Sequence, residues 1–406
     1  MAIVRPFRAL RPTPERVEQV AAVPYDVINT EEAAALAEGN PYSFLHVSRP
    51  EIDLEPGIDL YDDRVYAKAV ENFAKLREIC PFVEESSPVL YVYKLVMGEH
   101  SQVGVVGCCS VDEYDQDLIK KHEKTRKDKE DDRTRHTIEL RAHAEPVFLT
   151  YRPVSEIDSI VESVMKSEPL FDFTAADGIR HTLWTVNEPR QLSEAFEKVP
   201  HMYVADGHHR SASASRARAV MQQQNPTHTG NEEYNYFLAV IFPSDQLRIL
   251  PYNRVVKDLN ERSEEEFLQE LSKSFKVEPG TDSPSAKGEF AMYLNKKWYR
   301  LCPLDEIDYS NPIASLDVSI LQDRLLAPLL AIQDPRTDKR IDFVGGIRGT
   351  TELIKLVDAG KAAVAFSMYP TTVDDLMRIS DAGQIMPPKS TWFEPKLRSG
   401  LFIHTF

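Results

Sequence analysis

Cysteine is scarce in this sequence, with 4 in 406 residues. So few cysteines in a chain of this length do not build a disulfide framework, so we expect a reducing, cytoplasmic environment. Long apolar stretches are also lacking, because runs such as Val103–Val106 and Ala362–Phe366 fall far short of the roughly 20 residues that span a membrane. The N-terminal residues reach Arg5 before any useful apolar stretch, so no signal peptide and no membrane partner are predicted.

Positive charge is in deficit as well. The net charge is −16 and the sequence pI is about 5.2. A protein that binds nucleic acid usually shows the opposite balance, because lysine and arginine must replace the phosphate counterions. We therefore expect no nucleic-acid partner, although a local basic pocket remains compatible with the total. The hydrophobic content of 42% is enough for a sizeable core, and the length suits two or three domains.

Helical and strand patterns alternate along the chain, which predicts a mixed α/β (α+β) protein. The predicted helices are Thr30–Glu38 with Thr30 as N-cap, Asp62–Ile79, Val154–Met165, Gln191–Val199, His208–Gln224, Ser263–Phe275, Asp317–Ala331 and Thr372–Gly383. The predicted hairpins are Val89–Val96 with Val103–Val111, and Glu289–Leu294 with Lys297–Leu301. A domain boundary is expected near residue 250, where Pro251 follows a strand and loop.

The run Asp206–Arg210 lies where the predicted strand Met202–Ala205 turns into a helix, with Gly207 at the turn. Such a junction presents unpaired backbone N–H groups and the positive end of a helix dipole. Three potentially cationic side chains in the first helical turn are unfavourable unless an anion binds there, so the pattern predicts a phosphate site. A bland alternative is that these are surface residues. A zinc site is a weaker alternative, because consecutive residues rarely close a tetrahedral shell; Mg²⁺ held by Asp206 and substrate phosphates fits better.

A charged segment from Lys120 to His136 contains the second candidate, Glu123. Among the neighbouring lysines, this carboxylate would stay ionised close to an anion, which suits a general base that takes a proton from a hydroxyl. The alternative is an ordinary solvated loop or helix with many ion pairs. The third candidate is the proline-stiffened run Met386–Thr391, whose ammonium and hydroxyl groups suit a phosphate or carboxylate, although such a run is often only a well-ordered loop.

Taken together, His122-Glu123, Asp206–Arg210 and Pro388–Thr391 resemble, in the same order, the motifs of the free serine kinases of the ParB/sulfiredoxin-like superfamily. The whole chain resembles a larger domain-of-unknown-function family of bacteria and archaea that shares these motifs. Two N-terminal runs, Pro24–Ile28 and Asn40–Phe44, resemble the N-terminal motifs of that family.

The resemblance implies a role for each motif. Glu123 matches the catalytic glutamate that acts on the serine hydroxyl, and Asp206 matches a catalytic and Mg²⁺-binding aspartate. The residues implied for the nucleotide phosphates are Gly207, His208, His209 and Arg210, and those implied for the substrate are His122, Lys389, Ser390 and Thr391. The separation of Glu123 from Asp206 is longer than in the compact kinases, so a large insertion is expected between them.

The implied architecture is an N-terminal extension over residues 1–118, an elaborated ParB/sulfiredoxin-like nucleotide-binding core over 119–250, and a C-terminal α/β domain over 251–406 that closes the site. The implied function is transfer of a phosphate from ADP or ATP, with Mg²⁺, to free L-serine or a similar small hydroxylated metabolite. The alternative is a non-catalytic regulatory protein that binds a nucleotide or phosphometabolite. A ParB-like clamp is less favoured, because the sequence shows no helix-turn-helix pattern and no basic face.

Several other polar residues are given structural interpretations. Lys396 and Arg398 are expected on a solvated C-terminal edge, with contacts to an anion as the alternative. Glu145 is expected to be structural, with a second carboxylate near the metal as the alternative. The pair Asn253-Arg254 is expected to end a strand or to reach the site. Sulfiredoxin-like chemistry would need a cysteine where His208 stands, and that activity is set aside.

Overall fold

The computed structural model describes residues 2–406. Its contacts divide the chain into two compact units. The first unit comprises residues 2–121, 125–247 and 395–406, and the second comprises residues 122–124 and 248–394. The three-part division at residues 118 and 250 stays a prediction, while the mixed α/β class is confirmed by the helices and sheets given below.

The first unit contains helices distributed along its whole length. These are α1 (Val17–Val20), α2 (Thr30–Ala37), α3 (Leu45–Ser48), α4 (Asp63–Ile79), α5 (Val111–Asp115), α6 (Lys127–Leu140), α7 (Ser155–Val164), α8 (Pro189–Phe196) and α9 (His208–Gln224), with 3₁₀ turns at Pro50–Asp53, Glu233–Asn235 and Ser244–Gln246. Its strands are β1 (Val4–Arg5), β2 (Leu10–Pro12), β3 (Phe82–Glu84), β4 (Leu90–Met97), β5 (His100–Ser110), β6 (Ile119–Lys120), β7 (Ala142–His143), β8 (Val147–Tyr151), β9 (Phe171–Thr174), β10 (Arg180–Val186), β11 (Met202–Asp206), β12 (Tyr236–Pro243) and a C-terminal strand, His404–Thr405.

A large mixed sheet organises the first unit, in the order β6-β11-β8-β12-β5-β4-β10-β9, with β1 also paired to β5. Strand β8 is buried along its whole length, which matches its continuous run of apolar and aromatic residues. The predicted hairpin is confirmed as β4 and β5, which pair from Tyr91 with Val106 to Met97 with His100. Strand β11 lies between β6, which runs parallel to it, and β8, which runs antiparallel to it.

The second unit has its own sheet and helices. Its helices are α10 (Glu264–Leu271), α11 (Asp317–Leu321), α12 (Gly349–Asp358) and α13 (Val373–Asp381), with a π-helical turn at Gln322–Leu326 and a 3₁₀ turn at Gly346–Arg348. Its strands are β13 (Arg248–Leu250), β14 (Tyr252–Val256), β15 (Phe275–Pro279), β16 (Phe290–Leu294), β17 (Lys297–Pro303), β18 (Ile341–Gly345), β19 (Val364–Met368) and β20 (Trp392–Glu394). The main sheet has the order β15-β17-β16-β19-β14-β18, and β13 pairs with β20. The predicted hairpin of β16 and β17 is confirmed.

Three helix predictions need correction. The helix predicted over Ser263–Phe275 ends at Leu271, and Phe275 begins β15. The helix predicted over Asp317–Ala331 ends at Leu321 and continues as a π-helical turn to Leu326, because Pro328 has no backbone N–H and interrupts the helical ladder. Helix α2 is capped by Asn29 rather than Thr30: the Asn29 side chain accepts from the Glu32 N–H, and the Glu32 carboxylate accepts from the Asn29 N–H. The capping box predicted at Thr372 and Asp375 is confirmed.

No helix within residues 2–406 combines the length and the apolar composition that a membrane span requires. The assignment of a ParB/sulfiredoxin-like core stays a prediction.

Candidate functional site

The predicted strand–glycine–helix turn is present in the first unit. Strand β11 changes its register against β8 between Val204 and Asp206, which is the irregularity of a β-bulge. Gly207 follows with φ of 94°, and α9 begins at His208. A Cβ atom on Gly207 would lie 3.0 Å from Nε of Arg210. Glycine is therefore required both by the left-handed backbone and by the guanidinium group that packs against it.

The N-terminus of α9 has features that suit an anion. No side chain caps this described helix, and its first turn holds no acidic residue. The first N–H groups of a helix have no partner within the helix, so they are available to a ligand with oxygen acceptors. His208 is buried at the first helical position. The Nε2 atom of His209 accepts a hydrogen bond of 3.1 Å from the backbone N–H of Arg126, so this nitrogen carries no proton in this arrangement.

Arg210 points into the first unit. One terminal nitrogen donates to the carbonyl oxygen of Pro146, and the other donates to Oδ2 of Asp206 at 3.3 Å. Its Nε has no hydrogen-bond partner among the described residues. Burial alone would lower the pKa of Arg210, but the carboxylates of Asp26, Asp206 and Glu145 raise it. Arg210 thus remains charged and holds the strand end and the helix start together.

The carboxylate of Asp206 lies between two cations. Its Oδ2 accepts from Arg210 and also from Nζ of Lys396, at 3.4 Å. Burial alone would raise the pKa of Asp206, but Lys396 and Arg210 outweigh it and hold this pKa well below its usual range. Because both cations use the same oxygen, a Mg²⁺ ion at Asp206 fits only if oxygens of a bound phosphate complete most of its coordination shell.

The C-terminal segment corrects one prediction. Lys396 and Arg398 are only 9% and 4% exposed, so the expectation of a solvated edge is wrong. Nε of Arg398 donates to Nε2 of His181 at 3.3 Å, and the same guanidinium pairs with Asp177. Burial lowers the pKa of His181 to about 3, with Arg398 as a second cause. The partners of both cations lie far earlier in the sequence, where no local pattern could reveal them.

A buried group of charged side chains lies close to Arg210. Arg133 donates to Asp132 at 3.0 Å, contacts Glu145 at 3.4 Å, and has its guanidinium carbon 4.1 Å from the ring centroid of Tyr25. Burial raises the pKa of Glu145 despite Arg133 and Arg210. In contrast, Arg133 and the Tyr66 hydroxyl hold the pKa of Asp132 below its usual value although burial opposes them. Glu145 therefore has an ion-pair partner in Arg133.

Sequence reasoning missed Arg133 and Asp132. Both belong to the charged segment, and they lie on the buried side of α6 together with His136. A small cavity of about 20 Å³ is lined by Arg133, Glu145 and Arg210, among others. Such a volume holds about one water molecule. The signal that could have found this group is the helical spacing of charged residues in α6, which places Asp132 and His136 on one face.

In the second unit, the predicted loop carries a strained residue. Lys389 has φ of 57°, which is unfavourable for a side chain with a Cβ. The carbonyl oxygen of Lys389 accepts from the Arg254 guanidinium at 3.0 Å, and its Nζ lies 5.4 Å from the ring centroid of Tyr252. Strain of this kind persists only where the surroundings fix it, and it is frequent at ligand sites. Arg254 and its neighbour Asn253 lie within β14, so neither ends a strand.

The other predicted substrate residues lie around the same loop. The Ser390 hydroxyl donates to the carbonyl oxygen of Pro387 at 2.6 Å, so its proton is used within the loop. Nε2 of His122 lies 3.3 Å from Oγ1 of Thr391, and the carbonyl oxygen of His122 accepts from the Met386 N–H at 2.8 Å. The structure therefore brings His122 and Thr391 together. Glu123 follows His122 directly and is half-buried on the connection between β6 and α6.

Residues 4–319 match the model of a family described as "Protein of unknown function (DUF1015)". The chain belongs to this family. The matched residues include Glu123 and the turn Asp206–Arg210 and end before the loop that carries Lys389. No curated protein matched the chain.

Solved structures with similarity to the chain include a free serine kinase in complex with AMP. It shares 13% identity, with 74% of this chain and 91% of the kinase covered, at a TM-score of 0.36. SbnI with a C-terminal truncation, from Staphylococcus aureus, shares 11% identity over 74% of this chain and 87% of its own, with a TM-score of 0.39. A conserved hypothetical protein from Pyrococcus furiosus shares 13% identity over 74% and 94%, with a TM-score of 0.35. Because these TM-scores are below 0.5, the overlap does not establish a common fold.

Proposed function

We propose that this protein is a kinase-like phosphotransferase that transfers a phosphate from ADP or ATP to free L-serine or a similar small hydroxylated metabolite. The observation that carries the proposal is the turn from β11 through Gly207 into α9, with an uncapped helix N-terminus beside buried Arg210 and Lys396. The motif resemblance to free serine kinases is a second, independent support.

The phosphate-binding role is proposed for Gly207, His208, His209 and Arg210. A helix N-terminus binds phosphate through its free N–H groups and its dipole. The absence of an acid in the first turn of this described helix removes the competitor that most often occupies such a position. Phosphoryl transfer needs neutralised charge and exact positioning more than covalent chemistry, so a rigid cationic turn is suited to it.

The proposed chemical step uses Glu123 as general base. The acceptor hydroxyl loses its proton to the Glu123 carboxylate, its oxygen forms a bond to the terminal phosphorus of the nucleotide, and the bond from that phosphorus to the bridging oxygen breaks. The bridging oxygen leaves with the shortened nucleotide and keeps the bonding electron pair. General bases of this kind contribute about 10² to 10⁴ in rate.

Mg²⁺, when bound through phosphate oxygens with Asp206, would neutralise charge on the phosphates. The loop of Lys389, Ser390 and Thr391, with His122, is proposed to bind the charged end of the acceptor. Lys389 would contribute an ammonium group for a carboxylate or phosphate. The Ser390 hydroxyl oxygen still has acceptor capacity, since its proton alone is engaged with Pro387.

The test is phosphorus NMR of the purified protein with Mg²⁺, ATP or ADP, and a panel of small hydroxylated acids led by L-serine. We expect a new phosphomonoester signal that requires the acceptor. Glu123→Gln should lower the rate about 100-fold or more while nucleotide binding, measured by calorimetry, is retained. Glu139→Gln, at an exposed position of α6, is the matched control and should leave the rate unchanged.

A regulatory protein that binds a nucleotide or phosphometabolite without turnover is the second candidate. It is favoured by one observation: Arg210, Asp206 and Lys396 already satisfy one another, as expected for a structural network. Nucleotide binding with no product across the whole panel would support this candidate. Full activity of Glu123→Gln would reject the base assignment. Absence of nucleotide binding would reject the kinase, and absence of both nucleotide and phosphometabolite binding would reject both candidates.

A further inference from the structure

The second unit contains a pocket whose residues take no part in the proposed kinase chemistry. Its volume is about 330 Å³, which lies within the usual range for small-ligand sites. Its walls combine apolar side chains with small polar ones, and none of the residues that line it is charged. The lining residues used below are Asn253, Ser367, Met368, Pro251, Pro370 and Thr350.

Asn253 presents an unused donor in this pocket. The residue is only 2% exposed, and its Oδ1 accepts from the N–H of Met368 at 3.0 Å, which fixes the orientation of the amide. Within residues 2–406, Nδ2 of Asn253 has no hydrogen-bond partner. Since Asn253 lines the pocket, this free donor is available to an acceptor atom of a ligand.

Ser367 adds a second donor, a hydroxyl group, at the same wall of the pocket. It is 2% exposed, lies in β19 and also lines the pocket. Its Oγ, too, makes no hydrogen bond within the part of the chain that the structure describes. Two deeply buried polar side chains with unused donors therefore converge on one pocket, which points to an acceptor-rich group as occupant.

Helix α12 supplies further donors. It begins at Gly349, directly after the 3₁₀ turn that follows β18, and no side chain caps it. Gly349 has φ of 66° and, like Thr350, it lines the pocket. The Gly349 N–H donates to the carbonyl oxygen of Gly346, so the first-turn donors left for a ligand are the N–H groups of Thr350 and Thr351. The helix dipole favours a negative charge here, although the first turn also holds Glu352.

The nearby acid limits how much negative charge the pocket accepts. Oδ2 of Asp282 accepts from the Thr350 hydroxyl at 2.6 Å, and Oδ1 accepts from the Ser283 hydroxyl at 3.2 Å. These two hydroxyls therefore donate their hydrogen bonds to Asp282. The negative charge of the Asp282 carboxylate repels an anion that carries two charges. A singly charged carboxylate is favoured over a phosphate dianion for this reason.

We propose that this pocket binds the carboxylate of a small organic acid with a compact apolar body. The carboxylate accepts from Nδ2 of Asn253, from Oγ of Ser367 and from the N–H groups of Thr350 and Thr351 in the first turn of α12. The apolar body packs against Met368, Pro251 and Pro370. The site is independent of the proposed kinase activity, because none of these residues belongs to the predicted catalytic or phosphate-binding set.

The experiment uses the full chain without nucleotide and follows backbone resonances of ¹⁵N-threonine-labelled protein. Isovalerate is the probe, isovaleramide is the uncharged control with the same body, and inorganic phosphate is the second anion. We expect isovalerate to shift the Thr350 and Thr351 amide resonances. Isovaleramide should bind at least 10-fold more weakly, and phosphate should also bind more weakly than isovalerate. Equal binding of isovaleramide, or no shift with any of the three probes, would overturn the proposal. Tighter binding of phosphate than of isovalerate would overturn the choice of a carboxylate.

Two variants connect the signal to the proposed donors. Ser367→Ala should weaken isovalerate binding about 10- to 100-fold, as expected for loss of one hydrogen bond to a charged group. Asn253→Asp keeps the acceptor for Met368 but replaces the donor by an acceptor, and binding should be lost. Asn231→Asp, at an exposed position of the first unit, makes the same chemical change as a control and should have no effect. Unchanged affinity for isovalerate in a folded Ser367→Ala protein would contradict the proposed arrangement. This outcome is informative even where Asn253→Asp does not fold.

Discussion

In the first unit the half-buried carboxylate of Asp206 and the buried carboxylate of Asp132 each lie within hydrogen-bonding distance of a guanidinium group, whereas in the second unit the buried carboxylate of Asp317 does not. Oδ1 of Asp317 accepts from the Gly288 N–H at 2.9 Å, while Oδ2 has no partner among the described residues. The difference appears in the protonation equilibria. Burial raises the pKa of Asp317 to about 7. Lys396 and Arg210 keep the pKa of Asp206 below its usual value, and Arg133 does the same for Asp132.

This comparison teaches that burial alone does not decide the charge of a carboxylate. In the first unit, paired guanidinium groups offset the cost of removing the charge from water, so the acids stay ionised at neutral pH. In the second unit, the nearby ammonium of Lys287 pairs at 2.8 Å with Asp375 instead, and Asp317 is left with one backbone donor. The first unit therefore has charges suited to an ionic ligand, and the second has a group that titrates near physiological pH.

The largest effect should come from breaking a pair in the first unit. Arg210→Ala leaves the carbonyl of Pro146 without its donor and leaves Asp206 with Lys396 as its cation. We expect a loss of about 3 to 5 kcal/mol in the free energy of unfolding, because a buried carbonyl loses its donor and the nearby carboxylates of Asp26, Glu145 and Asp206 all lose a buried cation.

Urea denaturation, combined with hydrogen exchange of α9, measures this loss. Arg216→Ala on the same helix is the matched control: its guanidinium is half-exposed and pairs with Asp131 at 2.6 Å, and its removal should cost about 0 to 1 kcal/mol. A cost for Arg210→Ala as small as that of the control would contradict the structural role of the buried pair.

A smaller, pH-dependent effect is expected in the second unit. Since the folded-state pKa of Asp317 is raised above its unfolded value of 3.8, the folded state holds the proton more tightly, and stability falls as pH rises between about 4 and 7. Asp317→Asn removes this titration, so the variant should become progressively more stable than the native protein with rising pH, by up to about 4 kcal/mol. Denaturation at pH 5 and pH 8 measures the difference, and a constant difference at both pH values would show that Asp317 does not titrate in this range.

The smallest predicted effect concerns two lysines of the second unit, and it distinguishes backbone strain from a role in binding the acceptor. Lys389 and Lys296 both have left-handed backbones, with φ of 57° and 61°, but Lys296 lies in the turn between β16 and β17. Replacing either lysine by glycine should stabilise the protein by about 1 kcal/mol, because the steric penalty of the Cβ is removed. Only Lys389→Gly should reduce acceptor binding, as measured by the rise in KM for L-serine. Equal kinetics of the two variants would reject the proposed role of Lys389.

Local patterns were sufficient for much of this fold. Gly207 between an apolar strand and a long helix predicted the turn, and alternating apolar residues predicted both hairpins, because each depends on neighbours within a few residues. The capping box at Thr372 was equally local. The helix that begins at Asp317 is shorter than predicted, because the helical spacing of its apolar residues continues past the point where Pro328 interrupts the backbone hydrogen bonds.

Long-range pairing could not be predicted. Lys396 was assigned to solvent because nothing near it in the sequence indicates a partner, yet Asp206 lies 190 residues away. The same holds for Arg133 and Glu145, whose contact joins the inner face of a helix to the start of a strand. Of the candidate site, the turn geometry was therefore predictable, while the inward direction of Arg210 and the ion pair with Lys396 were not.

The discontinuity of the first unit has a consequence for synthesis on the ribosome. Residues 395–406 belong to this unit, and they supply Lys396 and the strand His404–Thr405, but the second unit lies between them and residue 247. During translation, the nascent chain therefore emerges with Asp206 and Arg210 already made and the lysine still missing. Until residue 396 leaves the exit tunnel, a buried acid in the emerging sheet lacks one of its two cations, so completion of the first unit has to wait for the whole second unit to be translated.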